Sequence, residues 1–402
     1  MITAHTDVVG SLLRPTALLR AREDRAAGRL DAAAFKRIED HAVDAAVSLQ
    51  EAAGMGVATD GEMRRLSFQS QMTEAVEGFG EWGLDAFLWG DWRGDDGVGD
   101  RSLQRPEQLA VTSPLRQRRF LSVEEFVYLR ALAGTGTTAK LTLPSPSLFA
   151  SFWDPERSAG AYATLDAFLA DVADIVRAEV AELARLGAEY LQLDAPHYPL
   201  LLDPGTRAFY EARGGRWQDW LARGIELDNA VMDAAPEVTF GFHLCRGNQA
   251  SRWLVEGDYD PIAEPIFQGT KAGRLLLEYD DERSGSFAPL ARIPDDKMAV
   301  MGLVTTKSAR PETPEWLEAQ VREAARYMDL ERLALSPQCG FATSVEGNRV
   351  TEAVERRKLA VIRETAERIR DRRYGQPVER KAYAGIQQYA GSEGPGPGGR
   401  GP

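Results

Sequence analysis

The chain has 402 residues, 44% of them hydrophobic and 27% charged, with a formal net charge of −13. These proportions describe a globular protein with a large core, and the acidic balance argues against nucleic acid or an anionic membrane as partner, since both are gripped through clustered Lys and Arg. No N-terminal stretch joins a basic start to an apolar run and no apolar span approaches about 20 residues, while two cysteines do not build a disulfide framework, so a reducing, cytoplasmic setting is expected.

Length leaves open two or three domains or a single α/β barrel. In chain order, short apolar runs end in polar turns. Residues 6–9 run into Gly10 and Ser11, 57–59 into Asp60-Gly61-Glu62, and 139–143 into Pro144-Ser145-Pro146. Residues 190–193 run into Asp194-Ala195-Pro196-His197, 238–242 into His243 and Cys245, and 275–277 into Glu278. Residues 298–304 run into Thr305-Thr306-Lys307, and 333–335 into Ser336-Pro337-Gln338-Cys339-Gly340. Eight such runs are the number that closes a parallel (β/α)8 barrel.

Helical patterns lie between them. Over 33–53, Phe35, Ile38, Ala42, Ala45, Ala46, Leu49 and Ala53 recur at three- and four-residue steps, and Gly54 stops the helix. Residues 162–186 do the same before Gly187, and 217–234, 314–328 and 351–372 are the other clear amphipathic stretches. The expected architecture is therefore α/β: one TIM-like (β/α)8 barrel over 1–390 forming the catalytic domain. Residues 78–122, with Trp82, Trp89 and Trp92 and little periodicity, read as an insertion after the second strand, either a hairpin or lid at the barrel mouth or a surface excursion. Residues 391–402, nearly all Gly, Pro, Ser and Arg, read as a disordered tail.

His243 and Cys245 stand two apart, so on a strand they point to the same side. Alone, the pair reads as a buried cysteine beside a hydrogen-bonded histidine. A barrel changes that reading, because residues just past its strand ends converge on one face. They would bring Ser11, Glu62, Asp194, His243, Cys245, Glu278, Lys307 and Cys339 to one mouth. Two thiolates, an imidazole and a carboxylate complete a zinc ligand set, with Glu278 as the fourth arm or as the ligand that substrate displaces.

The chain resembles the catalytic half of cobalamin-independent methionine synthase, in a single-barrel form. The resemblance runs from Val8-Val9-Gly10-Ser11-Leu12-Leu13-Arg14-Pro15 through Thr59-Asp60-Gly61-Glu62, Gln192-Leu193-Asp194-Ala195-Pro196 and His243-Leu244-Cys245. It continues through Glu278 to Ser336-Pro337-Gln338-Cys339-Gly340-Phe341, covering nearly everything but the insertion and the tail. It implies zinc on His243, Cys245, Glu278 and Cys339, and a homocysteine-like thiol held by Ser11, Glu62 and Asp194, the two carboxylates pairing with its ammonium. The chain departs from the family in three places. Lys307 stands where the family has its general-acid histidine, and with Asp194 it is the catalytic candidate. The family's Asp-Glu-Pro turn reads Asp194-Ala195-Pro196, with His197 added nearby, and residues 143–147 do not match the segment that seats folate. Thiol activation looks retained while the methyl donor looks altered.

The resemblance thus implies a zinc-dependent methyltransferase that converts homocysteine to methionine, with a methyl-folate or a methyl-corrinoid as donor. A related activity, epoxyalkane:coenzyme M transferase, adds a thiol to an epoxide, where Lys307 would suit the alkoxide and Arg64 or Arg65 the sulfonate. The non-enzymatic alternative is an idle zinc-binding barrel.

Overall fold

The computed structural model describes residues 5–95 and 97–374. Seven parallel strands form one sheet in sequence order: β1 (Val57–Ala58), β2 (Thr138–Pro144), β3 (Tyr190–Asp194), β4 (Thr239–Leu244), β5 (Arg274–Glu278), β6 (Met298–Val304) and β7 (Leu333–Pro337). From β2 to β7 the strands are buried along nearly their whole length, as near-continuous apolar runs covered on both faces should be. Helices follow as the periodicity requires. Asp31 caps Ala32–Ala52 by accepting from Ala34 N, and Thr164 caps Leu165–Arg185 by accepting from Ala167 N. The stripe Phe168, Leu169, Val172, Val176, Val180 and Leu183 is buried, worth roughly 1.5–3 kcal/mol per large side chain. Gly187 then takes φ +87°, the left-handed conformation that ends a helix.

The expected first strand, 6–9, is a single parallel bridge from Thr6 to Leu335. The reason lies in its side chains. Val8 N donates to Asp7 Oδ1 (2.9 Å) and Val8 O accepts from Lys140 Nζ, so neither backbone group is available for a ladder. The segment still meets both sheet edges: Asp7 N donates to Leu335 O (2.9 Å), Thr59 Oγ1 to Gly10 O (2.6 Å), and Leu12 N to Gly61 O (3.0 Å). The sheet is therefore curled.

Its interior is partly ionic. Asp7 Oδ1 accepts from Lys140 Nζ (2.9 Å), and Asp7 Oδ2 from Tyr190 Oη (2.7 Å) and Arg274 Nη2 (3.1 Å). Burial alone would raise the Asp7 carboxyl, but Lys140 and Arg274 hold it below the usual carboxylate range. Removing one partner of such a buried group costs about 3–5 kcal/mol. Val9, Leu276, Val300 and Ala334 pack together as an apolar cluster of the interior.

Between β1 and β2, Gly90–Gly94 pairs antiparallel with Arg101–Leu103 and with Arg252–Trp253 from the segment after β4, while Val76–Glu77 pairs with Arg116–Gln117. The sheet and these ribbons belong to the unit Met1–Ala366; of the unit Glu367–Pro402, the described part is the end of helix Glu352–Tyr374. The tail expected at 391–402 lies outside the described residues. Among the described residues, no helix is long and apolar enough to cross a membrane.

Candidate active site and metal centre

Register sets the level of the strand ends. Pro144 on β2 pairs with Asp194 on β3, and Asp194 pairs with His243 on β4. Cys245 follows directly, and Cys339 follows β7 on the Gln338-Cys339-Gly340 turn. One ligand atom from each of His243, Cys245 and Cys339 lies within 4.8 Å of the other two. His243 Nε2 is 3.6 Å from Cys339 Sγ. All three residues are buried. Asn248 braces the turn by donating to Gly340 O (2.8 Å).

Two thiols this close share their protons unequally. The contact with Cys245 and the His243 imidazole lower the Cys339 thiol, while the same contact and burial raise that of Cys245. Burial works against a charged His243, but the Cys339 thiolate outweighs it and raises the imidazole. A buried nitrogen–sulfur donor set of this kind suits zinc in its soft ligands and their spacing.

A cavity of about 450 Å3 opens over this group, and Ser11, Glu62, Asp194, His243, Cys245 and Cys339 all line it. Glu62 adopts φ +55°, a left-handed conformation that costs a non-glycine residue about 1–3 kcal/mol and marks functional sites. Its Oε1 accepts from Thr142 Oγ1 (2.8 Å), whereas its buried Oε2 has no protein partner. Asp194 Oδ1 accepts from Gln192 Nε2 (2.7 Å), and burial, reinforced by Glu62, pushes its carboxyl up to about 7 against the pull of His243. Phe87, Leu88, Trp89 and Trp92 from the insertion, with Phe152 and Leu254, add an apolar, aromatic section to the cavity wall, beside polar lining residues such as Asp91, Arg93 and Asp203.

Glu278 and Lys307, also expected at the mouth, are not among the lining residues. Glu278 Oε1 accepts from Lys307 Nζ (2.9 Å) and Oε2 from Arg246 N (2.6 Å). Burial opposes both charges, yet Lys307 and Arg246 keep the Glu278 carboxyl low, and Asp280 and Glu278 keep the Lys307 ammonium above lysine's usual range. Arg64 and Arg65 are committed too. Arg65 binds Glu125 (2.7 Å) and Thr142, and Arg64 binds Asp40 (2.7 Å) and stacks on Tyr128. Sequence reasoning missed Gln192, Lys140 and Asp7, which stand in line behind Asp194; the available signal was a lysine inside an otherwise apolar strand.

Residues 158–367 match the family described as the catalytic domain of cobalamin-independent synthase. The uncharacterized protein YxjH of Bacillus subtilis is 33% identical over 358 residues, 88% of this chain and 92% of that protein. The chain belongs to the cobalamin-independent methionine synthase family. A methionine synthase of Thermococcus kodakarensis is 25% identical over 336 residues, 84% of this chain and 86% of its own length. The solved B12-independent methionine synthase of Shewanella sp. W3-18-1, in complex with selenomethionine, shares the fold, with a TM-score of 0.69 at 19% identity over 93% of this chain and all of that one. As in the family's methionine synthases, small-molecule substrates are implied. The His-Cys-Cys group stands at the C-terminal ends of the parallel strands, where α/β proteins of this kind place their chemistry.

Proposed function

We propose that this chain is a cytoplasmic, zinc-dependent methyltransferase that transfers a methyl group to homocysteine, giving methionine. In this reading the curled sheet is a TIM-like (β/α)8 barrel forming the catalytic domain over 1–390, with the bridged segment 6–9 between its two edge strands and 78–122 as an insertion at the mouth. The observation that carries it is the convergence of six buried residues, Ser11, Glu62, Asp194, His243, Cys245 and Cys339, on one cavity. His243, Cys245 and Cys339 would hold zinc. Bound there, zinc would lower the pKa of an incoming thiol from about 8.5 and keep it as the nucleophilic thiolate.

The remaining roles fall to the chain itself. Glu62, with Oε2 unpartnered, and Asp194, fixed by Gln192, pair with the ammonium of the amino-acid thiol, and Ser11 lines the same wall. Glu278 Oε1 accepts from Lys307 Nζ, so Lys307 would orient Glu278 as the fourth arm of the metal set and is the charged donor nearest to it. The aromatic wall excludes water and takes the methyl donor, a methyl-folate or methyl-corrinoid. Arg64 and Arg65, already tied to carboxylates, do not offer a sulfonate site, which disfavours coenzyme M as the acceptor.

The test offers zinc-loaded protein homocysteine and coenzyme M, each with methyl-folate, methylcobalamin and a small epoxide. Methionine formation is expected, and alkylation of coenzyme M alone would overturn the assignment. Cys339→Ser should lose zinc and activity together; a fully active, metal-free variant would overturn the zinc assignment.

A further inference from the structure

Asn248 follows Cys245 by three residues, lines the same cavity and is only 2% exposed. Its Nδ2 donates to Gly340 O (2.8 Å) and to Thr306 Oγ1 (3.3 Å), whose own proton goes to Gln338 Oε1 (2.7 Å). A carbonyl only accepts, so the amide must turn its nitrogen towards Gly340 and its oxygen away. Among the described residues, that oxygen, Oδ1, meets no donor. A buried acceptor left this way is destabilising until a ligand or water brings it a proton.

The surroundings say what kind of group would do so. Gly340, held by Asn248, lies against Ser11; a Cβ on Gly340 would overlap Ser11 Oγ. On the other side of Ser11, a Cβ on Gly10 would stand 2.6 Å from Glu62 Oε1. Asn248, Ser11 and Glu62 thus form one arc of the cavity wall, and the arc carries two buried acceptors without protein donors, Asn248 Oδ1 and Glu62 Oε2. Asp194 lines the same cavity. An ammonium has three N–H donors, and the two carboxylates meet two of them. Oδ1 has no proton to offer a carboxylate or a sulfonate, so those groups are unwelcome at this place.

We propose that Asn248 Oδ1 is the third acceptor for the ammonium of the thiol substrate, and that Asn248 is the residue that restricts the acceptor to thiols bearing an amine. The inference rests on the methyl-transfer reading above and deepens it by naming a specificity determinant outside the carboxylate pair. Being neutral, the amide adds a directed hydrogen bond without a third negative charge beside the sulfurs of Cys245 and Cys339. Its nitrogen meanwhile holds Gly340, the residue after Cys339. One side chain therefore ties the seat of the amine to the turn that carries a metal ligand, which fixes the span between amine and sulfur.

The test titrates zinc-loaded wild type, Asn248→Ala and Asn248→Leu calorimetrically with homocysteine and with 4-mercaptobutyrate, which has the same thiol chain and carboxylate but no ammonium. Zinc content is measured on the same preparations. Wild type should prefer homocysteine, and each variant should lose about tenfold or more of that preference. The ratio of the two affinities is the readout, because a residue that only braced the turn would weaken both thiols by the same factor. Such an equal loss, or an unchanged ratio in a folded variant, would overturn the role of Asn248 and leave methyl transfer standing. Should Asn248→Ala fold poorly, Asn248→Leu reads the same ratio. No homocysteine binding by wild type would overturn the methyl-transfer reading together with this one.

Discussion

Lys307 Nζ and Glu278 Oε1 stand 2.9 Å apart, both side chains are buried, and neither residue lines the cavity that holds the His-Cys-Cys group. The pair therefore fixes how much freedom Glu278 has towards a metal at its neighbours. Lys307→Met should cost the metal-free protein about 3–5 kcal/mol, because it strands a buried carboxylate. Zinc should restore much of that loss, since the freed carboxylate gains a cation. Urea denaturation of wild type and variant, each with and without zinc, checks this. A loss of equal size in both states would mean that Glu278 never reaches the metal.

Why the metal group was legible and its surroundings were not follows from the residues. Cys245 and Cys339 are the chain's two cysteines, and both follow apolar runs, so sequence alone could place them at strand ends on one face. The partner of Lys307 is set by long-range geometry, 29 residues away in the chain, and no local pattern encodes it. The same holds for Asp7, whose contacts with Lys140 and Arg274 span 133 and 267 residues. That cluster also explains why the run 6–9, expected as a strand, forms a single bridge. Residues 6–9 have strand-like side chains, but Asp7 and Lys140 capture the backbone of Val8. The insertion was visible as a break in period; its pairing with Arg252–Trp253 was not, because two-residue ribbons carry no periodic signal.

Gln192 ties the ionic interior to the substrate wall. Its Oε1 accepts from Lys140 Nζ (2.7 Å) and its Nε2 donates to Asp194 Oδ1 (2.7 Å), so the orientation of Asp194 is inherited from the Asp7–Lys140 pair. Gln192→Leu should lower stability by about 1–3 kcal/mol, the cost of leaving buried polar partners unmatched. It should also weaken homocysteine binding about tenfold, the loss of one charge-bearing contact, with zinc content unchanged. Calorimetric titration with homocysteine and metal analysis of the same preparation decide it; wild-type affinity in a zinc-replete variant would remove Asp194 from the ammonium site.

A buried glutamate gives the fold a pH-dependent limb next to the same wall. Glu355 Oε1 accepts from Leu13 N (3.0 Å), two residues beyond Ser11, and is almost fully buried. Burial, with help from Glu352, pushes its carboxyl from 4.5 up to about 8, against the pull of Leu13 N and Arg14. The native chain thus binds this proton more tightly than the unfolded chain does. The stability it contributes is complete below pH 4.5, declines as pH rises from there, and is gone above about 8. The slope cannot exceed about 1.4 kcal/mol per pH unit for one proton. Glu355→Gln keeps an acceptor oxygen for Leu13 N but cannot ionise, so the variant should be the more stable protein at pH 8 and show a flatter profile between pH 5 and 8. Denaturation midpoints of both proteins at pH 5, 6.5 and 8 measure this directly, and parallel profiles would assign the pH dependence to another group.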